Sequence, residues 1–237
     1  MQLGGYARIT QAAIYRVTDG VPALQCAGAV LQPGWILTAA SCLRRRSEQR
    51  LVAAVGETIL SGSLADDVPL FTISDDVTVF DYLALVSVSP HPFTPQRDVP
   101  KAVCLPDVDS SATLRSLPLT VTGWGATSRL SRRRVRAARV TLLPTAVCRS
   151  DTSTQVFIRR PPVVCTLSPR LMTVSQPCVA TTGSPLLRLD PSRRRYELVG
   201  LLTDATQQGC PQTGHVTYTS VGEYVDIIRL AIALGKQ

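Results

Sequence analysis

The stretch "WILTAASC", residues 35–42, is the part of the sequence from which the fold is best predicted. It is an apolar run that begins directly after the turn-forming "QPG" and stops on Ser41 and Cys42. A short apolar run bounded by turn residues is typical of a β-strand. The stretch therefore predicts a strand that ends beside a hydroxyl and a thiol.

Similar strand-like segments recur on both sides of this run. They read "LQCAGAVLQPG", "RLVAAVGE", "VTVFDYLALVSVS", "LTVTGWG", "ARVTLLP", "YELVGLLTD" and "HVTYTSV". Because no long helical pattern separates them, they predict an all-β barrel or sandwich. The polar, turn-rich segment 106–118 could join two halves.

The end of the chain is the exception to the β pattern. "VGEYVDIIRLAIALG" places Tyr224, Ile227, Ile228 and Ala231 at helical spacing, and Gly235 can close the helix. We therefore expect a terminal helix.

Length and composition fit a globular protein that can bury a core. The 237 residues, 45% of them hydrophobic and 18% charged, suffice for one large or two small β-domains. No stretch approaches the roughly 20 apolar residues that span a bilayer. The opening "MQLGGYARIT" lacks the regions of a signal peptide, so we expect any signal to lie upstream of this sequence.

Seven cysteines occur, at positions 26, 42, 104, 148, 165, 178 and 210. An odd number indicates disulfides plus one thiol paired elsewhere, and disulfides favour an extracellular setting. With no CxxC pair and only two histidines, the sequence predicts no metal site, and we expect no cofactor.

Seven motifs in order resemble the chymotrypsin/trypsin family of serine proteases along almost the whole chain. They are "QLGGYA", "LQCAGAVLQPGWILTAASC", "FDYLALVSVS", "VCLPD", "TVTGWGAT", "QPCVATTGSPLL" and "YELVGLLTD". The resemblance implies two six-stranded antiparallel β-barrels and a C-terminal α-helix. It places the first barrel at about 1–108, the second at about 118–222 and the helix at about 222–234.

The resemblance also implies a disulfide pattern. Its three pairs are Cys26–Cys42, Cys148–Cys165 and Cys178–Cys210. A further bridge that many members have is missing, because its two positions hold Leu119 and Arg188. Cys104 is left over, and the matching cysteine of two-chain members binds a light chain or amino-terminal domain. Cys104 could be a buried thiol, but we favour the inter-chain bond.

The catalytic positions implied by the resemblance are altered. Ser41 stands where the family has its catalytic histidine, and a hydroxyl has no useful basicity near neutral pH. Asp81 matches the orienting aspartate, and Thr182 replaces the nucleophilic serine. Thr181 replaces the aspartate that accepts the new amino terminus, and Ala180 replaces the oxyanion-hole glycine. A threonine nucleophile needs an activating base, and the sequence shows none.

The specificity pocket is altered as well. Its implied positions are Gln176, Thr203, Ala205 and Val216. The two histidines, His91 and His215, lie where neither can replace the missing base. We therefore interpret the chain as a pseudoprotease, a protease-like domain that is not an enzyme.

The formal charge of +8 is almost entirely arginine, with clusters at 44–46, 131–139 and 192–195. The resemblance places all three clusters in exposed loops. The candidate polyanion-binding residues are Arg44, Arg45, Arg46, Arg132, Arg133, Arg134, Arg136, Arg139, Arg193, Arg194 and Arg195. Guanidinium groups bind sulfate, phosphate and carboxylate, but a GC-rich coding bias or a "RRRVR" processing site are the alternatives.

Two functions follow from these features. The first is an extracellular adaptor that binds a protein partner or an upstream domain, joined through Cys104. The alternative is a basic effector that binds an anionic glycan, lipid or microbial surface. An active serine endopeptidase is the reading that the residues favour least, and the lack of interleaved aromatic residues argues against sequence-specific nucleic-acid binding.

Overall fold

The computed structural model describes residues 10–43, 50–56, 59–61, 70–89, 102–107, 118–124, 132–144, 163–167, 181–193, 195–203 and 215–235. Strands dominate these segments, and the helical residues lie mainly at the C-terminal end.

The first barrel is built from the N-terminal part of the chain. Its strands are β1 (Gln11–Thr18), β2 (Val21–Gln32), β3 (Trp35–Ala39), β4 (Arg50–Val55), β6 (Leu70–Phe80) and β7 (Leu83–Ser89). They close in the order β1-β2-β3-β7-β6-β4 with antiparallel pairing. A 3-10 helix, Ala40–Leu43, follows β3, and the short strand β5 (Ile59–Ser61) lies outside the barrel.

The second barrel has the same architecture. Its strands are β8 (Leu119–Gly123), β10 (Arg136–Leu143), β11 (Val163–Leu167), β12 (Pro185–Asp190), β13 (Arg195–Leu201) and β14 (His215–Ser220), while β9 (Arg132–Arg134) pairs with β5. The closed order is β10-β11-β14-β13-β12-β8. A 3-10 turn, Gly222–Tyr224, leads into helix α1 (Val225–Leu234). The predicted pair of six-stranded antiparallel barrels with a C-terminal helix is thus confirmed.

Strands with apolar residues on both faces hold the two barrels together. In β3, Ile36 points into the first barrel, whereas Leu37 joins a cluster that also contains Leu198 of β13 and Ile228 of α1. All four side chains are fully buried. Successive strand residues face opposite sides of a sheet, so an unbroken apolar run such as that of β3 fits burial on both faces.

The predicted terminal helix is confirmed, and its inner face carries the buried residues Val225, Ile228 and Ile232. Of the other residues noted at helical spacing, Tyr224 and Ala231 pack partly buried against the core, whereas Ile227 is 50% exposed. Leu230 and Leu234 are also exposed, so the helix carries apolar residues on two opposite sides. Periodicity alone could not show which side docks on the barrels.

The prediction that the arginines of 131–139 lie in a loop is wrong for the described residues, although the predicted exposure holds for Arg136 and Arg139. Arg132–Arg134 form β9, and β10 starts at Arg136 with Arg136 paired to Gly123. Val135, buried between them, anchors the segment in an apolar cluster with Trp124 and Tyr15. Arg136 and Arg139 are exposed, because a barrel strand leaves positions open to solvent even where the backbone is fully paired.

The cluster at 192–195 lies at the hairpin between β12 and β13. The carboxylate of Asp190 accepts hydrogen bonds from the backbone amides of Ser192 and Arg193, which closes the turn. Arg195 belongs to β13 rather than to the turn. Arg44, Arg45, Arg46 and Arg194 lie outside the described residues.

Candidate functional site between the barrels

Ser41 lies in the 3-10 helix that follows β3, next to the first disulfide. Cys42 is bonded to Cys26 of β2, which confirms this predicted pair. The hydroxyl oxygen of Ser41 is buried and has no hydrogen-bond partner in the part of the chain that the structure describes. A hydroxyl in this position can neither take nor relay a proton as an imidazole would.

The carboxylate of Asp81 makes no hydrogen bond to the hydroxyl of Ser41. It sits in the β6–β7 turn with a left-handed backbone, φ 50°, a conformation that aspartate tolerates better than most residues. Its Oδ2 accepts a hydrogen bond of 2.7 Å from the hydroxyl of Tyr224. The neighbouring residue Tyr82 makes the contact with the Ser41 segment, since its carbonyl accepts the amide of Ala40 at 2.8 Å.

Thr182 lies at the centre of a tight turn, 181–184. The amide of Ser184 donates to the carbonyl of Thr181, and the amide of Thr181 donates to the hydroxyl of Ser184, both at 2.7 Å. These reciprocal bonds hold the turn closed without any ion pair. Thr181 carries no charge, so it cannot accept an amino terminus in an ion pair.

Backbone contacts tie this turn to the first barrel. The amide of Ala27 donates to the carbonyl of Thr182 at 2.8 Å, and the carbonyl of Ala27 accepts the hydroxyl of Thr38 at 2.7 Å. Gly183 has φ 84°, and a Cβ there would lie 1.9 Å from the carbonyl oxygen of Ala27. The close approach of the two backbones therefore requires glycine.

Two of the predicted pocket positions are described. The hydroxyls of Thr203 and Thr219 share a hydrogen bond of 2.7 Å. Val216 is buried in the core cluster of the second barrel, beside Tyr218. Gln176, Ala180 and Ala205 lie outside the described residues, as do His91 and the side chain of His215.

Cys104 lies on the extended segment 102–107, which crosses between the barrels. Its amide donates to the carbonyl of Tyr196 at 3.0 Å, and its carbonyl accepts the amide of Leu198 at 2.8 Å. The neighbouring amide of Val103 bonds to the carbonyl of Val30 in β2. The thiol of Cys104 is partly buried, is in no disulfide and lines a groove of about 480 Å³.

A buried ion pair involves Arg188, which occupies one of the two positions of the disulfide that many family members have and this sequence lacks. Leu119 of β8 and Arg188 of β12 are direct cross-strand partners, and Arg188 extends to Glu197 on β13. The guanidinium binds Oε2 of Glu197 through both Nη2 and Nε, with Nε at 3.1 Å. Both residues are buried, so their pairing offsets much of the cost of removing each charge from water.

The remaining cysteine predictions are described only in part. Cys165 is disulfide-bonded, and its partner lies outside the described residues, as do Cys148, Cys178 and Cys210. Across the described segments, no group of three or more potential metal ligands occurs. No helix in those same segments is long and apolar enough to cross a membrane.

The two closed barrels, joined where the threonine-bearing turn 181–184 of the second bonds to β2 of the first, define a double-barrel protease-like domain. The family model described as Trypsin matches residues 4–228. The chain belongs to the trypsin family.

Proposed function

We propose that this chain is a non-catalytic member of the trypsin family that acts outside the cell as a protein-binding adaptor. The proposed lack of catalysis rests on the surroundings of Ser41 and Asp81. The hydroxyl of Ser41 has no partner among the described residues, and the carboxylate of Asp81 is bonded to Tyr224. Proton relay from a serine nucleophile needs a base, and that base needs an orienting carboxylate.

The activity test uses a fluorophosphonate probe and a broad peptide library. We expect neither labelling of Thr182 nor turnover, with active trypsin as the positive control. The double variant Ser41→His, Thr182→Ser should also stay far below trypsin, because Asp81 remains bonded to Tyr224 and Thr181 remains uncharged. Turnover that disappears in Thr182→Ala would overturn the proposal.

The adaptor role is supported by Cys104. A partly buried free thiol beside a groove offers a place where a second polypeptide could be joined. The Cys26–Cys42 disulfide and the family both fit an oxidising, extracellular environment. Non-reducing peptide mapping of the protein from secreting cells tests this role. A Cys104 thiol that is still free in that protein would mean that no second polypeptide is joined there.

The second candidate function is binding of a polyanion. It is supported by the five arginines within the eight residues 132–139, of which Arg136 and Arg139 are exposed on β10. Clustered guanidinium groups bind sulfate and phosphate in a salt-dependent way.

A further inference from the structure

Turn 181–184 is closed by uncharged groups of its own two end residues. The amide of Ser184 donates to the carbonyl of Thr181, and the hydroxyl of Ser184 accepts the amide of Thr181, each at 2.7 Å. Ser184 is fully buried. A short hydroxyl side chain that bonds to the backbone three residues away stabilises a turn locally, without a contribution from a distant part of the chain.

Backbone bonds on both sides reinforce the turn. The amide of Gly183 donates to the carbonyl of Leu202 at 2.6 Å, and the amide of Leu202 donates to the carbonyl of Ser184 at 3.0 Å. On the other side, the carbonyl of Thr182 accepts the amide of Ala27 at 2.8 Å. The turn is therefore bonded both to the residue that follows β13 and to β2 of the first barrel, again through uncharged groups.

An amino terminus inserted beside this turn would find no ion-pair partner at position 181. Its ammonium group would need a negatively charged acceptor, because a buried charge without a partner is costly. The side chain of Thr181 is uncharged. A contact shifts a conformational equilibrium only when it favours one of the two states, and Thr181 offers no ion pair that would favour the closed turn.

We propose that turn 181–184 is formed before, and independently of, any cleavage that releases a new amino terminus, and that the hydroxyl of Ser184 supplies the bond that holds it. The inference goes beyond the proposed function, because it concerns how the domain reaches its final structure and not what it binds. An uncleaved precursor then has the turn in its final form, so cleavage does not switch on binding at this site.

Amide hydrogen exchange, followed by NMR, measures the opening of this turn directly. The unsubstituted protein is compared in two forms. One begins with a free amino terminus at Gln2, where the motif "QLGGYA" starts, and the other carries a flexible glycine–serine extension before Gln2. We expect the amides of Thr181, Gly183 and Ser184 to exchange equally in both forms, within about twofold. Clearly faster exchange in the extended form would overturn the proposal.

The variant Ser184→Ala removes the hydroxyl that closes the turn. We expect the Thr181 amide to exchange about tenfold faster in this variant, with and without the extension. Ser192→Ala is the matched control, because the hydroxyl of Ser192 also lies in a tight turn, where it donates to the carboxylate of Asp190 at 2.6 Å. This control should leave the exchange of turn 181–184 unchanged.

An unchanged exchange rate of the Thr181 amide in Ser184→Ala would show that the hydroxyl does not hold the turn, and would also overturn the proposal. If Ser184→Ala does not fold, the two forms of the unsubstituted protein still decide. The adaptor function is tested separately, by whether Cys104 of the protein from secreting cells carries a partner, so either proposal can fail alone.

Discussion

The carboxylate of Asp81 accepts a hydrogen bond from the hydroxyl of Tyr224, with 2.7 Å between Oδ2 and Oη. The two residues are far apart in the chain, and the ring of Tyr224 also lies against Phe80, with 6.5 Å between ring centroids. A carboxylate expected to orient a catalytic base thus joins the β6–β7 turn to the start of the terminal helix. This contact supports a structural role for Asp81.

Removing the contact should lower stability. We expect Tyr224→Phe to reduce the free energy of unfolding by about 0.5–1.5 kcal/mol, the net value of a typical hydrogen bond, because water can replace this donor at the exposed carboxylate of Asp81. Asp81→Asn should cost less than Asp81→Ala, since asparagine keeps an acceptor and tolerates the positive φ of this position. Urea unfolding measures all three variants, and equal stability of Asp81→Ala and the unsubstituted protein would contradict the structural role.

The protein should lose stability at alkaline pH. Burial raises the pKa of Tyr196, Tyr218 and Tyr224, and the hydrogen bond to Asp81 raises that of Tyr224 further. Above the ordinary tyrosine pKa of about 10, the folded chain therefore holds more protons than the unfolded chain. This contribution to stability is complete below that pH and is lost as pH rises through the raised values. Urea midpoints measured across alkaline pH should fall, and less steeply in Tyr224→Phe.

The sequence predicted the architecture better than it predicted the surroundings of particular side chains. Both barrels could be predicted because their strands are marked by apolar runs and turn residues, and because the motifs resemble one family in order. The hydrogen-bond partner of Asp81 could not be predicted, since Tyr224 is distant in sequence and no local pattern links the two residues. The strand at Arg132–Arg134 was also missed, because a run of arginines carries no alternation of apolar and polar residues.

Gly183 should be the least replaceable glycine of the site. Gly183→Ala would bring a Cβ to 1.9 Å from the carbonyl of Ala27 at a backbone angle of φ 84°. Gly20→Ala is the matched control, with φ 77° and no atom within 4 Å of the added Cβ. The control should cost about 1 kcal/mol for backbone strain alone, and Gly183→Ala at least about 2 kcal/mol more from the clash. Similar unfolding midpoints for the two variants would show that turn 181–184 does not pack tightly against Ala27 of β2.

The buried pair of Arg188 and Glu197 should behave differently in single and double variants. Arg188→Met leaves a buried carboxylate without its closest partner and should cost about 3–5 kcal/mol. Adding Glu197→Leu removes that charge as well, so the double variant should recover most of the loss. Arg195 complicates the comparison, because it lies 3.6 Å from Glu197, and Arg195→Gln is therefore measured alone and in combination. Additive losses in the double variant would mean that the two side chains are not coupled.

Heparin binding by variants of the β10 arginines should distinguish a polyanion site from a general excess of positive charge. Arg136→Ser with Arg139→Ser removes two exposed cations of one strand that follow the arginines of β9 in the chain, whereas Arg50→Ser with Arg229→Ser removes two exposed cations from separate elements. A polyanion is long enough to contact several cations of one strand at once, whereas cations separated by much more than the screening length of about 8 Å at physiological ionic strength act independently. We therefore expect the protein to be retained on heparin above physiological salt, and the β10 variant to elute at clearly lower salt than its control.

Each pair should change stability little, since exposed substitutions usually stay within about 0.5 kcal/mol, and thermal unfolding of both variants checks this. Identical elution of the two variants would mean that heparin responds to net charge, and the adaptor function would then stand alone.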